Sequence, residues 1–260
     1  MVDIIFLQEG LHLFLLVLAR ISAMVSVAPF WSSRIIPMQV KIYFSILTSA
    51  VLLPLVWEQT PTLMLGPSPY ILMVIQETVF GLILGIAGVL LFNAIHVAGQ
   101  IIDTQMGFGM VNVLDPQSGT QIPMMGNFYY LIALLLFLIS DGHHYLLQAL
   151  MGSFNLLPPG TMISFPIHVW QDLAGLFTKI LVFALQIALP VAGVLFLSDL
   201  ALGIIARTVP QMNVFVLGIP IKIIVGVTTI IVVLPLYAVS LRFLFRQIFD
   251  TVDLMIQSYL

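Results

Sequence analysis

Long apolar runs, separated by shorter polar or proline-containing stretches, dominate the order of residues in this chain. These runs cover residues 11–30, 42–56, 71–97, 128–139, 181–205 and 223–241. A helix that crosses a bilayer needs about 20 mostly apolar residues. The second and fourth runs are shorter than this, and the third is longer. The pattern predicts an all-α fold, that of a polytopic integral membrane protein with about six hydrophobic helices.

Small residues in the third run suggest a helix–helix contact. Gly81 and Gly85 are spaced four residues apart, and Gly88 lies about one turn further on. Glycines at this spacing let a second helix approach closely within a membrane. Chance occurrence in a glycine-rich apolar run explains the pattern equally well, so both interpretations stay open.

Prolines lie inside or beside the last two runs, at Pro190, Pro220 and Pro235. Each removes a backbone donor and bends a helix. Lipid offers no partner to the carbonyl groups freed in this way. We therefore expect these kinked helices to be buried against protein rather than lipid.

Two connections between the runs are long. Residues 100–123 are rich in glycine and carry only Asp103 and Asp115 as charges. Residues 151–172 contain three prolines, and we predict that they form an extended surface segment.

Composition supports the membrane assignment. Hydrophobic residues make up 61% of the 260 residues and charged residues only 7%, whereas about 25% of a soluble domain is charged. Such a surface must contact lipid or other membrane subunits. No basic cluster is present, so nucleic acid is not an expected partner. Without cysteine there are no disulfides, thiolate nucleophiles or cysteine metal ligands.

Sequence signatures of catalysis are absent. The chain contains no G-x-S-x-G, H-E-x-x-H or phosphate-binding glycine-rich motif. Asp141, His143 and His144 form a cluster that suggests a metal site, but adjacent histidines are expected to point in different directions. A polar turn is the preferred interpretation. We predict no enzymatic activity, no cofactor and no metal.

Ionisable residues within or beside the apolar runs are the next candidates for function. They are Arg20, Glu77, Asp103 and Asp199. Charge inside a membrane is costly and often marks an ion or proton pathway. Pairing between neighbouring helices, or extension of a side chain to the membrane surface, explains it without transport. We favour structural pairing. A secondary transporter of a small solute or ion is the alternative, and it would be expected to show clear inverted repeats.

The segment QMGFGMVNVLDPQSG at residues 105–119 combines glycine, methionine and phenylalanine. Its centre consists of Met106, Gly107, Phe108, Gly109, Met110, Val111 and Asn112, and Asp115 and Pro116 then interrupt regular structure. Glycine permits unusual backbone conformations, and methionine fills irregular spaces. A dry apolar constriction blocks ions by excluding water. The segment is therefore either a buried loop between helices or a deformable apolar plug.

This segment also resembles the FliR family of flagellar biosynthetic proteins. Further agreement lies in ALGIIARTVPQMNVFVLGIPIKI at residues 201–223, RIIPMQVK at 34–41, DGHHYLL at 141–147 and SFNLLPPG at 153–160. Order and spacing match across essentially the whole chain, although Asp141 replaces the asparagine expected more often. The signature positions are Arg34, Pro37, Asp115, Pro116, Arg207, Pro210, Gln211, Asn213 and Pro220.

The resemblance implies a structural and gating subunit of the flagellar type III protein export channel. Family members join FliP and FliQ in a helical, hetero-oligomeric export gate, and each gate contains one copy of the family member. The gate lies within the flagellar basal body, in the bacterial inner membrane. FlhA and FlhB are implied neighbours, and unfolded flagellar proteins are the implied substrates. Residues 1–175 would be similar in fold to FliP and residues 176–260 to FliQ. Residues 106–112, within the connection 100–123, would plug the pore. The injectisome export apparatus of the same superfamily is the alternative.

Overall fold

The fold consists of helices throughout the part of the chain that the computed structural model describes, residues 2–33, 35–58, 60, 67–108, 123–161, 167–211 and 213–257. The helices are α1 (Val2–Val27), α2 (Met38–Trp57), α3 (Pro67–Met106), α4 (Met124–Ile139), α5 (Gly142–Leu156), α6 (Ile167–Thr208) and α7 (Val214–Gln257). Within these described residues, five stretches of helix are long and apolar enough to cross a membrane, and the bent pair α4 and α5 supplies a sixth if it counts as one span. The predicted all-α, polytopic membrane fold is confirmed.

Two predicted connections differ from the structure. Residues 100–106 continue α3 as helix, and residues 151–156 complete α5. The prediction of an extended surface segment is wrong for residues 151–161, because Pro159 and Gly160 are buried. The physical reason is that the backbone of this turn supplies partners to a buried ion pair.

The helices form two compact units from non-contiguous parts of the chain. The first contains Met1–Leu90, Asp141–Leu176 and Phe245–Leu260, and the second contains Leu91–Ser140 and Phe177–Leu244. Helices α1, α2 and α5 belong to the first unit and α4 belongs to the second. The division predicted at residue 175 separates a part similar in fold to FliP from a part similar in fold to FliQ. This division stays a prediction.

Close packing of α1 on α3 defines the core of the first unit. A Cβ atom at Gly81 would overlap the backbone carbonyl of Arg20, and one at Gly85 would lie 2.9 Å from the carbonyl oxygen of Met24. At Gly88 the added atom would meet the chain just after α1. The interpretation of this glycine face as a helix-packing surface is confirmed, and the helix that uses it is α1.

Within the second unit, α4 packs against both α3 and α7. A Cβ at Gly99 of α3 would overlap the backbone of Gly126 near the start of α4. The Tyr237 hydroxyl of α7 donates to the Tyr129 carbonyl of α4 at 2.9 Å, and the two rings meet edge to face at 4.6 Å. The glycine contact holds the start of α4 close to α3, and the tyrosine contact joins α4 to α7.

Much apolar surface is not covered by the chain itself. Only 22% of the most apolar stretch of α2 and 17% of that of α7 is buried within the protein. Ile231 and Val232 of α7, for example, are 66% and 72% exposed. Water does not solvate surface of this kind without a large free-energy cost, so lipid or other membrane subunits must cover it.

Candidate functional site

The predicted plug begins at a regular helix cap. Gly107 has a φ of 89°, and its N–H donates to the Thr104 carbonyl at 3.2 Å, while the Phe108 N–H donates to the Asp103 carbonyl at 3.0 Å. Together these two bonds form a Schellman motif, in which a glycine at positive φ ends a helix. Gly107 therefore uses the backbone freedom that a glycine provides.

Met106, the first predicted plug residue, lies fully buried at the root of this segment. Its side chain packs over Gly226 of α7, where an added Cβ would come within 2.8 Å of the Met106 Cε atom. Ile219 of α7 lies near Gly107, with its Cγ1 atom 3.9 Å from the position of a Cβ there. The end of α3 is therefore fixed against α7 within the second unit.

Several predicted site residues lie outside the described part of the chain. They are Arg34, Gly109, Met110, Val111, Asn112, Asp115 and Pro116. The plug therefore stays a prediction, and the structure describes the two ends of its connection.

Asp103 links these two ends. Its Oδ1 and Oδ2 atoms accept from the Met125 N–H at 3.0 and 3.2 Å, and Oδ2 also accepts from the Gly126 N–H at 3.4 Å. N–H groups in the first turn of a helix have no partner within that helix. Pro123, which precedes α4, provides no side-chain cap. Asp103 therefore caps α4 from α3.

Arg20 of α1 and Glu77 of α3 form a buried ion pair in the first unit. The Nε atom of Arg20 lies 2.5 Å from Oε2 of Glu77, and the two side chains are 0% and 1% exposed. The guanidinium Cζ lies 4.9 Å from the ring centroid of Phe80 and 4.3 Å from that of Phe154. Aromatic faces attract a cation, so both rings stabilise the charged arginine.

The motif at residues 153–160 completes the hydrogen bonding of this pair. Arg20 donates through Nη1 to the Ser153 hydroxyl at 3.1 Å and through Nη2 to the Leu157 carbonyl at 3.0 Å. The Gly160 N–H donates to Oε1 of Glu77 at 3.3 Å. No local pattern in the sequence links this motif to Arg20, because Ser153 is separated from Arg20 by 133 positions.

Asp199 of α6 pairs with Lys222 of α7 in the second unit. The Lys222 Nζ atom lies 2.7 Å from Oδ1 and 2.9 Å from Oδ2, and the Asp199 side chain is 41% exposed. Structural pairing, the favoured interpretation of the ionisable residues, is confirmed for Arg20, Glu77 and Asp199. Lys222 was not singled out as a partner, because it lies 23 positions from Asp199 in the next helix.

Asp141, His143 and His144 come together at the start of α5. One ligand atom from each lies within 4.8 Å of the others, and the two imidazole centroids are 4.2 Å apart. The expectation that the adjacent histidines point in different directions is therefore wrong, because the first turn of α5 places both rings on one side. His144 Nδ1 also lies 3.5 Å from the Asp141 carboxylate, and both side chains are exposed. The arrangement suits a polar turn as well as a metal ion.

The remaining signature residues lie at the surface, just before α2, in the last turn of α6, at the connection between α6 and α7 and in the first turns of α7. They are Pro37, Arg207, Pro210, Gln211, Asn213 and Pro220. The Asn213 side-chain oxygen accepts from the Val216 N–H at 3.4 Å and so caps α7. The other five are available for contacts outside the chain.

Together, the apolar helices, their buried polar links and their uncovered surface define a multi-span α-helical membrane protein. Residues 11–248 match the family described as bacterial export proteins, family 1, and the chain belongs to this family.

Individual relatives support the same family. The chain is 37% identical over 242 residues to the flagellar biosynthetic protein FliR of Bacillus subtilis (strain 168), covering 92% of each protein. It is 32% identical over 243 residues to FliR of Escherichia coli (strain K12), covering 92% of this chain and 91% of the relative. The surface presentation of antigens protein SpaR of Shigella flexneri is 28% identical over 231 residues, or 86% of this chain and 87% of the relative. The resemblance to the FliR family is confirmed.

Proposed function

We propose that this chain is a structural and gating subunit of the flagellar type III protein export channel. The observation that carries the proposal is its similarity to flagellar biosynthetic proteins named FliR along nearly the whole chain, for example over 92% of both proteins at 37% identity. The chain then acts in the bacterial inner membrane, within the basal body. It performs no covalent chemistry and needs no cofactor.

The uncovered apolar surface supports a role within a larger assembly. Helices α2 and α7 bury only 22% and 17% of their most apolar stretches within the chain. In the proposal, FliP and FliQ cover much of this surface. Each gate contains one copy of the chain, and FlhA and FlhB are neighbours of the gate. Residues 1–175 correspond to a FliP-like part and residues 176–260 to a FliQ-like part.

Gating is assigned to residues 106–112. A pore open to ions would dissipate the membrane potential. The free energy released when one elementary charge crosses the membrane is about 2.3 kcal/mol per 100 mV. Methionine and phenylalanine exclude water from the closed pore and adapt their shape to an arriving unfolded chain. The firmly packed root at Met106 and Gly107 supports this role, because a plug needs a fixed base.

Two alternatives are weaker. The similarity to SpaR supports an export role in an injectisome, but at 28% identity compared with 37% for FliR. A secondary transporter was suggested by the ionisable residues, yet Arg20, Glu77 and Asp199 each have a charged partner within the chain. Their presence therefore requires no transported ion.

Deletion of residues 109–119 in the assembled export complex tests the gating function. This deletion spares the packing of Met106 and the helix cap at Gly107, so we expect the complex to assemble normally and to leak ions. Co-purification followed by mass spectrometry of the intact complex checks assembly and identifies the partner subunits. A same-length replacement of residues 109–119 by glycine and serine is the matched control for loop length, and we expect it to leak as well. Unchanged leak in an assembled complex carrying the deletion would overturn the gating role.

A further inference from the structure

We infer that Asp141, His143 and His144, at the start of α5, form a binding site for a divalent transition-metal ion of the zinc type. One ligand atom from each residue lies within 4.8 Å of the other two. All three residues belong to the first unit. Such a site is independent of the proposed export role, and it stands against the sequence-based expectation of no metal.

The two imidazoles and the carboxylate select the class of ion. Imidazole nitrogen suits zinc, copper, nickel and iron, whereas Mg²⁺ and Ca²⁺ prefer sites made of oxygen atoms. Zn²⁺ is commonly held by three protein ligands and keeps a fourth tetrahedral position for water. Asp141, His143 and His144 supply three ligands of these kinds. Zn²⁺ is therefore the ion that fits this set best.

The spacing of the ligand atoms suits a single ion. Zinc lies about 2.0–2.2 Å from each nitrogen or oxygen ligand, so two ligands at the tetrahedral angle are about 3.4 Å apart. Oδ1 of Asp141 and Nδ1 of His144 are 3.5 Å apart, and these two side chains are 71% and 63% exposed. The imidazole centroids of His143 and His144 are 4.2 Å apart. Small rotations of exposed side chains therefore bring the ligands around one ion.

A polar turn without metal leaves the direction of the Asp141 carboxylate unexplained. Asp141 precedes the first turn of α5, where an aspartate side chain usually accepts from a backbone N–H of the helix. Its side chain makes no such bond. Its distance of 3.5 Å from His144 also exceeds the about 2.7–2.9 Å of a charge-assisted hydrogen bond. The carboxylate faces an imidazole without capping the helix, as a metal ligand would.

His143 has a ring nitrogen that is not committed to another group. Its Nδ1 atom is buried and has no hydrogen-bond partner in the part of the chain that the structure describes. A buried polar atom without a partner costs free energy, and most such atoms in proteins are paired. Neutral imidazole binds metal through either of its nitrogens. No hydrogen bond at Nδ1 therefore has to be broken for the His143 ring to turn toward an ion.

The backbone at Asp141 makes the site a property of this chain. Asp141 has a φ of 55° and a ψ of 26°, in the left-handed region that aspartate and asparagine adopt more readily than other residues with side chains. Asparagine, which we expect more often at this position of the FliR family, fits the same backbone. Its amide oxygen carries no charge and is a weaker ligand. The aspartate of this chain therefore supplies the anionic ligand.

Zinc binding by the assembled export complex, purified without a polyhistidine tag, tests the site. Equilibrium dialysis against ZnCl₂ followed by elemental analysis measures the bound zinc. His144→Ala, His143→Phe and Asp141→Asn should each lower the zinc affinity by at least about tenfold, because even residues that only orient a metal ligand change affinity by about 10–100-fold. Gln148→Ala, at an exposed position one turn further along α5, is the matched control and should bind zinc like the wild type.

Thermal unfolding of the same complexes gives a second measurement. An ion that binds the folded protein raises its unfolding temperature as the ion concentration rises. We expect ZnCl₂ to stabilise the wild type and Gln148→Ala, and to stabilise His144→Ala much less. MgCl₂ should not reproduce the effect, because Mg²⁺ prefers oxygen ligands.

Unfolding without added zinc shows which variants have folded. Asp141→Asn keeps the shape and the backbone preference of the native residue, so it decides the question if a histidine variant does not fold. Equal zinc affinity in the wild type and in the folded variants of Asp141 and His144 would overturn the inference. Stabilisation of the wild type by MgCl₂ as large as that by ZnCl₂ would also overturn it.

Discussion

The Nε atom of Arg20 donates to Oε2 of Glu77, which joins α1 to α3 through two charges that are withdrawn from solvent. Burying an ion costs several kcal/mol, and the attraction between two buried ions offsets this only with good geometry and further hydrogen bonds. Those further bonds come from the turn that follows α5, at Leu157 and Gly160, and from Ser153 within α5. The charge pair therefore ties three helices of the first unit to one arrangement.

The ion pair predicts strong coupling between its two members. Arg20→Met or Glu77→Met leaves the other charge buried without its partner, and we expect each to destabilise the protein by about 3–5 kcal/mol. The double variant Arg20→Met with Glu77→Met leaves no lone charge, so its loss should be well below the sum of the two. Thermal unfolding of the detergent-solubilised complex measures all three. Additive losses would show that the pairing has no energetic role.

The glycine contact between α1 and α3 predicts sensitivity to a single methyl group. Gly81→Ala would overlap the Arg20 carbonyl, which is backbone and cannot rotate away, so we expect a loss of at least about 1–3 kcal/mol. Gly152→Ala in α5 is the matched control, because nothing lies within 4 Å of its added Cβ. Higher helix propensity should make that variant neutral or more stable by up to about 1 kcal/mol. Equal unfolding midpoints for the two variants would contradict the packing described here.

The Asp199–Lys222 pair predicts that a charge exchange restores function. Asp199→Lys places two cations side by side and Lys222→Asp places two anions, so we expect each single variant to reduce export of flagellar protein. Combining the two restores an ion pair between α6 and α7 and should recover most of the secretion. Secretion into the culture medium and swimming in soft agar measure the effect. A combined variant as defective as the single ones would indicate that the Asp199 carboxylate itself is needed, as in an ion pathway.

Tyr237 tests the link between α4 and α7. Tyr237→Phe removes the hydrogen bond to the Tyr129 carbonyl but keeps the edge-to-face ring contact, so we expect a loss of about 0.5–1.5 kcal/mol. Tyr237→Ala also removes the buried ring and should cost about 3–5 kcal/mol. Tyr43→Phe, at an exposed position of α2, serves as the control and should change stability by less than about 0.5 kcal/mol. Thermal unfolding compares the stability of these three variants. A loss of stability for Tyr237→Phe as large as that for Tyr237→Ala would contradict the minor role of the hydroxyl.

Patterns along the chain are enough to predict the class of fold, the approximate number of spans and the family. These properties follow from local patterns: an apolar run of sufficient length must be a helix in lipid, and the order of short motifs identifies relatives. Residue type also indicated a packing face at Gly81 and Gly85 as one of two interpretations, and it permitted the positive φ at Gly107 without predicting it.

The pairing of polar groups depends instead on how distant helices pack. Arg20 and Glu77 are 57 positions apart, and Asp103 lies 22 positions before Met125, so no helical periodicity connects them. The prolines near residue 158 predict a surface segment, yet Pro159 and Gly160 are buried because the backbone of this turn satisfies the Arg20–Glu77 pair. A local pattern states which residues favour a helix or a turn. The partner of a buried charge is fixed by how distant helices pack, since the free-energy cost of leaving that charge unpaired arises only after packing.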